Sequence, residues 1–260
     1  MGTVFDFKLC QPEDGLSPFV QGLWSASLNS SNKNSMSRWL QGDACSSVLF
    51  NLHSNIIIND VVYTDNVILL PVNKEARLLT LPSGCQLAGI HFQPGISYGI
   101  FEQQPATPIV INESTIKQYK LASAFLSIAK ILAKISNHTK RVKTLKRWVI
   151  AEIDFSKVIT KQLLQSMSVI NIAQQVPTKI NDAPLSQRQI ERQFQKRMGM
   201  TPKQYLRVLR VKRTLAALKQ HPENNLVSLA LDNGFSDQAH MTRECKQIAK
   251  ITPRQYSKLI

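Results

Sequence analysis

The 260-residue sequence predicts an α+β fold: a small N-terminal β-barrel or sandwich, a helical linker, and a C-terminal all-α domain with two helix-turn-helix units. Three observations predict it. Residues 48–92 run as short β-rich segments punctuated by turn residues, residues 116–167 switch to helical apolar spacing, and residues 165–260 repeat themselves at an offset of 51 positions. The changes of period set the expected domains: 1–116 as a β-rich sensor or dimerisation domain, 117–164 as the helical linker, and 165–260 as the double helix-turn-helix domain.

The β-rich segments are residues 48–52, 56–58, 61–63, 67–70, 76–81 and 86–92. Asn59-Asp60, Asp65-Asn66 and Pro82-Ser83-Gly84 supply turn chemistry between them. A barrel of this size either encloses a small ligand or is filled by its own side chains and serves only to hold a dimer together.

In the linker Leu121, Ala124, Phe125, Ile128, Leu132 and Ile135 share one helical face, and Val142, Leu145, Val149 and Ile153 mark a second helix. Lysines fill the opposite faces, so the pair is expected to pack on the barrel or on a second subunit, with Ile128 at the centre of a dimer contact. The competing reading, a basic helix lying on a membrane surface, leaves those faces without a place in the fold.

The repeat is read from paired residues. Shifted by 51 positions, Gln187 falls on Gln238, Ile190 on Met241, Arg192 on Arg243 and Phe194 on Cys245, and Thr201-Pro202-Lys203-Gln204-Tyr205 falls on Thr252-Pro253-Arg254-Gln255-Tyr256. In the second copy Gly234 is placed to take a positive φ and Ser236 to cap the helix that follows, which runs from Asp237 to about Ala249. At 100° per residue Met241, Cys245 and Ile248 face inward while Ala239, Thr242, Arg243 and Lys246 face outward. In the first copy Ser186 caps a helix that buries Ile190, Phe194 and Met198 and presents Arg188, Glu191, Arg192 and Gln195. Between the copies a helix capped by Thr201, with Pro202 in its first turn, continues to about Gln220 before His221-Pro222. Val208, Val211, Leu215 and Leu218 form its apolar stripe.

Charge follows the same partition. Residues 1–116 hold 5 Lys/Arg against 9 Asp/Glu, residues 117–164 hold 11 against 2, and residues 165–260 hold 16 against 6. A polyanion partner is expected for the basic half. Apolar content of 43% is enough for packed cores. The longest apolar stretches, 67–72 and 122–135, are too short to span a bilayer or are interrupted by Lys130 and Lys134. The N-terminus carries Asp6 where a leader would need an apolar run, so a cytoplasmic location is expected. Cys10, Cys45, Cys85 and Cys245 form no C-x-x-C pair and are expected to be free thiols, a Cys45–Cys85 redox pair being the alternative.

These residues closely resemble the AraC/XylS family of transcription regulators over about 95 residues of the chain. The pattern L-S-x-R-x-[LI]-x-R-x-F-x(4)-G-x-[ST]-P lies at residues 185–202, and G-[FY]-x-D-x-[AS]-H-[FLM]-x-R lies at residues 234–243. The resemblance implies a sequence-specific, bacterial-type transcription regulator whose two recognition helices enter adjacent major-groove segments of double-stranded DNA. It carries the DNA-reading role to Arg188, Glu191 and Arg192 in the first unit and to Gln238, Thr242 and Arg243 in the second, and the outward positions of Gln195 and Lys246 add them to the candidate DNA-binding residues. It implies no catalytic residue, no metal and no cofactor, and leaves open RNA polymerase, a small-molecule effector in the N-terminal domain, and a homodimer as partners. Three departures stand out: Ala173 lies 13 residues before Ser186 whereas Ala230 lies 7 before Asp237, Cys245 replaces a usual aromatic, and Lys250 replaces a usual glycine.

Two other functions compete. A metal-dependent cupin-type enzyme would use His53 and His91 as ligands, but no H-x-H pair accompanies them. A charge-driven, non-specific nucleic-acid binder would need aromatic stacking platforms in the basic half, whose few aromatics fall mostly on inward faces.

Overall fold

Short antiparallel strands make up most of the N-terminal residues of the computed structural model, which describes residues 5–29, 35–64, 66–155 and 186–260. The strands are β1 (Phe5–Cys10), β2 (Val20–Leu28), β3 (Met36–Leu40), β4 (Ser47–Asn51), β5 (Ile56–Ile58), β6 (Val61–Tyr63), β7 (Val67–Leu70), β8 (Arg77–Leu81), β9 (Gln86–Phe92) and β10 (Ile109–Ile111). They form a six-stranded sheet in the order β1-β2-β9-β4-β7-β10 and a four-stranded sheet in the order β3-β8-β5-β6. The barrel-or-sandwich expectation resolves to two sandwich-like sheets without closure. All six expected segments are strands, whereas β1, β2, β3 and β10 had not been read from the sequence.

Antiparallel register lines up Ser25, Ala88, Phe50, Val67 and Ile111 across five strands, and the neighbouring row is Leu9, Trp24, Gly89, Leu49 and Ile68. Adjacent rows point to opposite faces. Phe50, Val67, Ala88 and Ile111 share a core with Phe125, Ile128 and Leu132 of α2 (Ala122–Ala133) and Val142, Leu145 and Val149 of α3 (His138–Glu152). Phe125 sits at its centre, with ring centroids 6.3 Å from Phe50, 5.7 Å from Phe101 and 5.1 Å from Trp148. The expected inward face of the first linker helix therefore covers its own sheet. Ile128 is only 2% exposed there, which corrects the expectation that it centres a dimer contact.

On the other row, Gly89 leaves room for Trp24: a Cβ on residue 89 would lie 2.4 Å from the indole ring. Gly95, at φ 81°, turns the end of β9 into the short helix α1 (Ile96–Phe101), a backbone conformation that glycine adopts without cost. Asn59 and Asp60 both take positive φ in the β5–β6 hairpin, as a twist-matched two-residue turn requires.

Arg141, which the sequence analysis did not single out, is fully buried on the inner face of α3. Its Nε donates to the Leu132 carbonyl at 3.3 Å, Nη1 to Ser25 Oγ at 3.0 Å, and Nη2 to Gln86 Oε1 at 2.5 Å and to the Ile135 carbonyl. Beside it His138 is held by Ser25 Oγ at Nδ1, 2.8 Å, and Ser27 Oγ at Nε2, 3.1 Å. These hydroxyls explain why serines occupy inward positions of β2: they satisfy polar groups that α3 brings into the core.

Contacts divide the chain into two units, the first within residues 1–159 and the second from residue 160 onward together with two short segments, 39–44 and 73–77. The second unit contains α4 (Gln187–Met198), α5 (Pro202–Gln220), α6 (Leu226–Asp232), α7 (Gln238–Ala249) and α8 (Pro253–Ser257). Among the described residues no helix is long and apolar enough to cross a membrane.

Candidate nucleic-acid interface

The repeated T-P-[KR]-Q-Y block is a helix start. Thr201 caps α5 through its hydroxyl and Gln204 returns the bond to the cap backbone, with Pro202 in the first turn. Thr252, Pro253 and Gln255 build the same capping box at α8. Ser186 and Gln189 make a third at α4, where the sequence placed it.

Each unit buries one stripe of its outer helix. In α4 the buried residues are Ile190, Phe194 and Met198, with the Phe194 ring 5.6 Å from Tyr205 of α5 in an edge-on contact. In α7 they are Met241, Cys245, Ile248 and Ala249. Cys245 is fully enclosed, and burial pushes its thiol up to about 12. Helix α5 supplies the common surface with Tyr205, Val208, Val211, Leu215 and Leu218.

Two arginines of α5 lock the second unit. Arg207 Nε lies 2.7 Å from a Glu244 carboxylate oxygen and its Nη2 donates to Gln247 at 2.7 Å. The Glu244 hydrogen bond holds the guanidinium above its ordinary value. Arg210 Nη1 donates to the Gly234 carbonyl at 2.9 Å, and its guanidinium lies 5.3 Å from the Phe235 ring centroid. The tight turn is thus fixed from outside as well as by the positive φ of Gly234, 75°. These fastenings were not read from the sequence, because the α5 pattern marks only its apolar stripe.

One expectation needs correcting. The N-cap of α7 is Asp237, whose Oδ1 accepts from the His240 amide at 2.6 Å, whereas Ser236 donates to Asp237 Oδ2 at 3.1 Å and lies 3.0 Å from His240 Nδ1. A carboxylate accepts the amide bond more strongly than a hydroxyl and suits the positive end of the helix dipole. The His240 amide bond in turn holds the Asp237 carboxyl below the usual carboxylate range.

Opposite the buried stripes, Arg188, Glu191, Arg192 and Gln195 are all exposed on α4, as are Gln238, Arg243 and Lys246 on α7. Thr242 is half-buried and donates its hydroxyl to the Gln238 carbonyl at 2.8 Å. Toward a ligand it can therefore offer an acceptor and a methyl group. Gln187 Nε2 donates to Glu191 at 3.2 Å. Neither Arg188, Arg192, Arg243 nor Lys246 lies within ion-pair distance of a carboxylate among the described residues. The lengthened turn expected before Ser186, with Ala173, Pro177 and Pro184, lies outside the described residues.

The histidines considered as metal ligands have protein partners. His53 Nε2 is 3.1 Å from the Ala133 carbonyl, and His91 Nδ1 is 2.7 Å from Ser47 Oγ. In the N-terminal unit a cavity of about 360 Å³ is lined by Asp6, Ser27, Leu28, Asn29, Gly84, Cys85 and Gln86.

Residues 181–259 match the profile of a family described as a helix-turn-helix domain, and residues 8–109 match a domain of unknown function. No curated protein matches the chain. Among solved structures, the chain is similar to ToxT from Vibrio cholerae solved at 1.65 Å, with 10% identity, 87% of this chain and 98% of that one covered, and a TM-score of 0.47. A second is wild-type ToxT from Vibrio cholerae strain SCE256 bound to unsaturated fatty acid, with 10% identity, 89% and 97% coverage, and a TM-score of 0.42.

Proposed function

We propose that the chain is a DNA-binding transcription regulator of the AraC/XylS type, supported by the helix-turn-helix match over residues 181–259, and that it reads two adjacent major-groove segments of one duplex, α4 entering the first and α7 the second. The observation that carries this reading is the coincidence, at the offset of 51, of Glu191, Arg192 and Gln195 with Thr242, Arg243 and Lys246, on helices that each bury the opposite stripe and each begin at a side-chain N-cap. A generic solvated face has no reason to recur at matching positions.

Arg192 and Arg243 take base edges, guanine above all, since a guanidinium meets its two acceptors in one plane. Thr242, with its proton spent on the Gln238 carbonyl, accepts from an exocyclic amine or touches a thymine methyl. Lys246 and Arg188 take phosphates. The 19 residues of α5 span about 28 Å. Successive major-groove faces lie about 34 Å apart, so a rod of that length suits readers one turn apart. The N-terminal unit controls this activity through an effector, through self-association, or both. The polar cavity lined by Asp6, Ser27 and Gln86 is the place for the first of these.

Footprinting the full-length protein on a site selected from random duplexes tests the reading. The expected result is two protected blocks centred about 10 base pairs apart and directly oriented. Protection of a single turn, with Arg188→Ala and Arg192→Ala leaving affinity unchanged, overturns it and reduces the first unit to a scaffold.

A further inference from the structure

We propose that the outer face of α3, in the N-terminal unit, is a second surface for nucleic-acid phosphates, one that holds a duplex without reading its bases. The inference rests on the DNA-binding reading above and adds a site to it.

The buried residues of α3, Arg141, Val142, Leu145 and Val149, centre on one side of the helix. At 100° per residue, Lys140, Lys143 and Arg147 fall within about 60° of one another on the opposite side, and Lys146 flanks them. Lys140, Lys143 and Arg147 are exposed. Lys130 and Lys134, at the end of α2, are exposed as well. The only carboxylate in the two helices is Glu152, in the last turn of α3. Among the described residues none of these cations has an ion-pair partner.

Helix stability does not account for this arrangement. Like charges three and four residues apart, as at 140/143, 143/146 and 143/147, repel by about 0.2 to 0.5 kcal/mol per pair. Cations in the first turns also oppose the helix dipole, and α3 has no acidic residue there. A face retained against both effects is explained by an anion that it binds. The face is rigid as well, because the buried Arg141 ties the helix to Leu132, Ile135, Ser25 and Gln86.

Duplex phosphate is the occupant the observations favour. From Lys140 to Arg147 the helix rises about 10 Å, close to three 3.4 Å steps along one strand. The chain already brings a duplex to its other unit, so a second weak contact operates at high effective concentration.

The test compares full-length wild type with Lys140→Gln, Lys143→Gln, Arg147→Gln on a random-sequence duplex on the order of 40 base pairs, four helical turns, across a salt series. The triple variant should lower the log-log salt slope by about 2.7, or 0.9 per lost phosphate contact. It should leave the ratio of selected-site to random-duplex affinity unchanged and should not lower the melting temperature. A charge-conserving variant, Lys140→Arg, Lys143→Arg, Arg147→Lys, should keep the wild-type slope. Wild-type binding with an unchanged slope in the Gln variant overturns the α3 site, as does equal loss in the charge-conserving variant. Wild type that binds no duplex at all defeats the DNA-binding reading instead.

Discussion

Arg243→Ala should relax base discrimination while leaving the fold intact. Arg243 is exposed on α7, and among the described residues no carboxylate lies within ion-pair distance, so its removal opens no cavity and strands no partner. The unit beneath it is held by Met241, Cys245 and Ile248 and by the Arg207–Glu244 pair at 2.7 Å, none of which the substitution touches. A good two-point contact to a guanine edge discriminates by about 1 to 3 kcal/mol. At about 1.4 kcal/mol per tenfold the ratio of selected-site to random-duplex affinity should fall by about 5-fold to 100-fold. Lys246→Ala should instead weaken both duplexes alike and reduce the salt slope by about 0.9. Fluorescence anisotropy on both duplexes at several salt concentrations measures all of these quantities. If Arg243→Ala leaves the ratio unchanged while lowering the slope, Arg243 holds a phosphate and the base-reading assignment is refuted.

Three further outcomes concern the scaffold. Gly89→Ala drives a methyl to within 2.4 Å of the Trp24 ring, an overpacking that costs about 1 to 3 kcal/mol; calorimetry should show the transition several degrees lower, and an unchanged midpoint would mean that the indole swings away freely. Lys250, at φ 58°, occupies the helix end where Gly199 stands in the first unit at φ 61°; Lys250→Gly should stabilise by about 0.5 to 1 kcal/mol, since its 2.7 Å ion pair with Glu75 is well exposed and worth little, and a loss of stability in urea unfolding refutes this. Desolvation lowers the pKa of His138, with Arg141 adding to the effect and Asp6 opposing it, so the unfolded chain takes up a proton first as pH drops below about 6.5; melting temperature should fall from pH 7 to pH 5, and His138→Gln should flatten that slope, an equal slope in both proteins counting against the assignment.

The helices of residues 186–260 were legible because their organisation is local. Ser186, Thr201 and Thr252 cap helices that begin one residue later, Pro202 and Pro253 mark first turns, and the apolar spacing survives duplication, so each signal lies within a few residues of the structure it sets. The cap of α7 was misread for a related reason: Ser236 and Asp237 are adjacent competent caps, and the choice is settled by the geometry of the His240 amide rather than by residue type. Six of the ten described strands were legible on the same terms, from the apolar runs of β4 to β9 and their turn residues. The β2 strand was not, because it carries Gly22, Ser25 and Ser27 where a core strand would ordinarily carry large apolar residues.

The reason for those serines is nonlocal. Ser25 receives Arg141 from a helix more than a hundred residues away, and both Ser25 and Ser27 engage His138. A helical wheel alone puts Arg141 on the apolar side of α3, where it reads as an intrusion; only the sheet shows it to be a fastening. The same fastening accounts for how α3 tolerates its outer charge. A helix stabilised by its own side chains would suffer from Lys140, Lys143 and Arg147 crowding one face, whereas a helix pinned by Arg141 and by the burial of Val142, Leu145 and Val149 draws its stability from the core. Its outer face is then free to vary in charge, and what selects that charge must be something the face meets in solution.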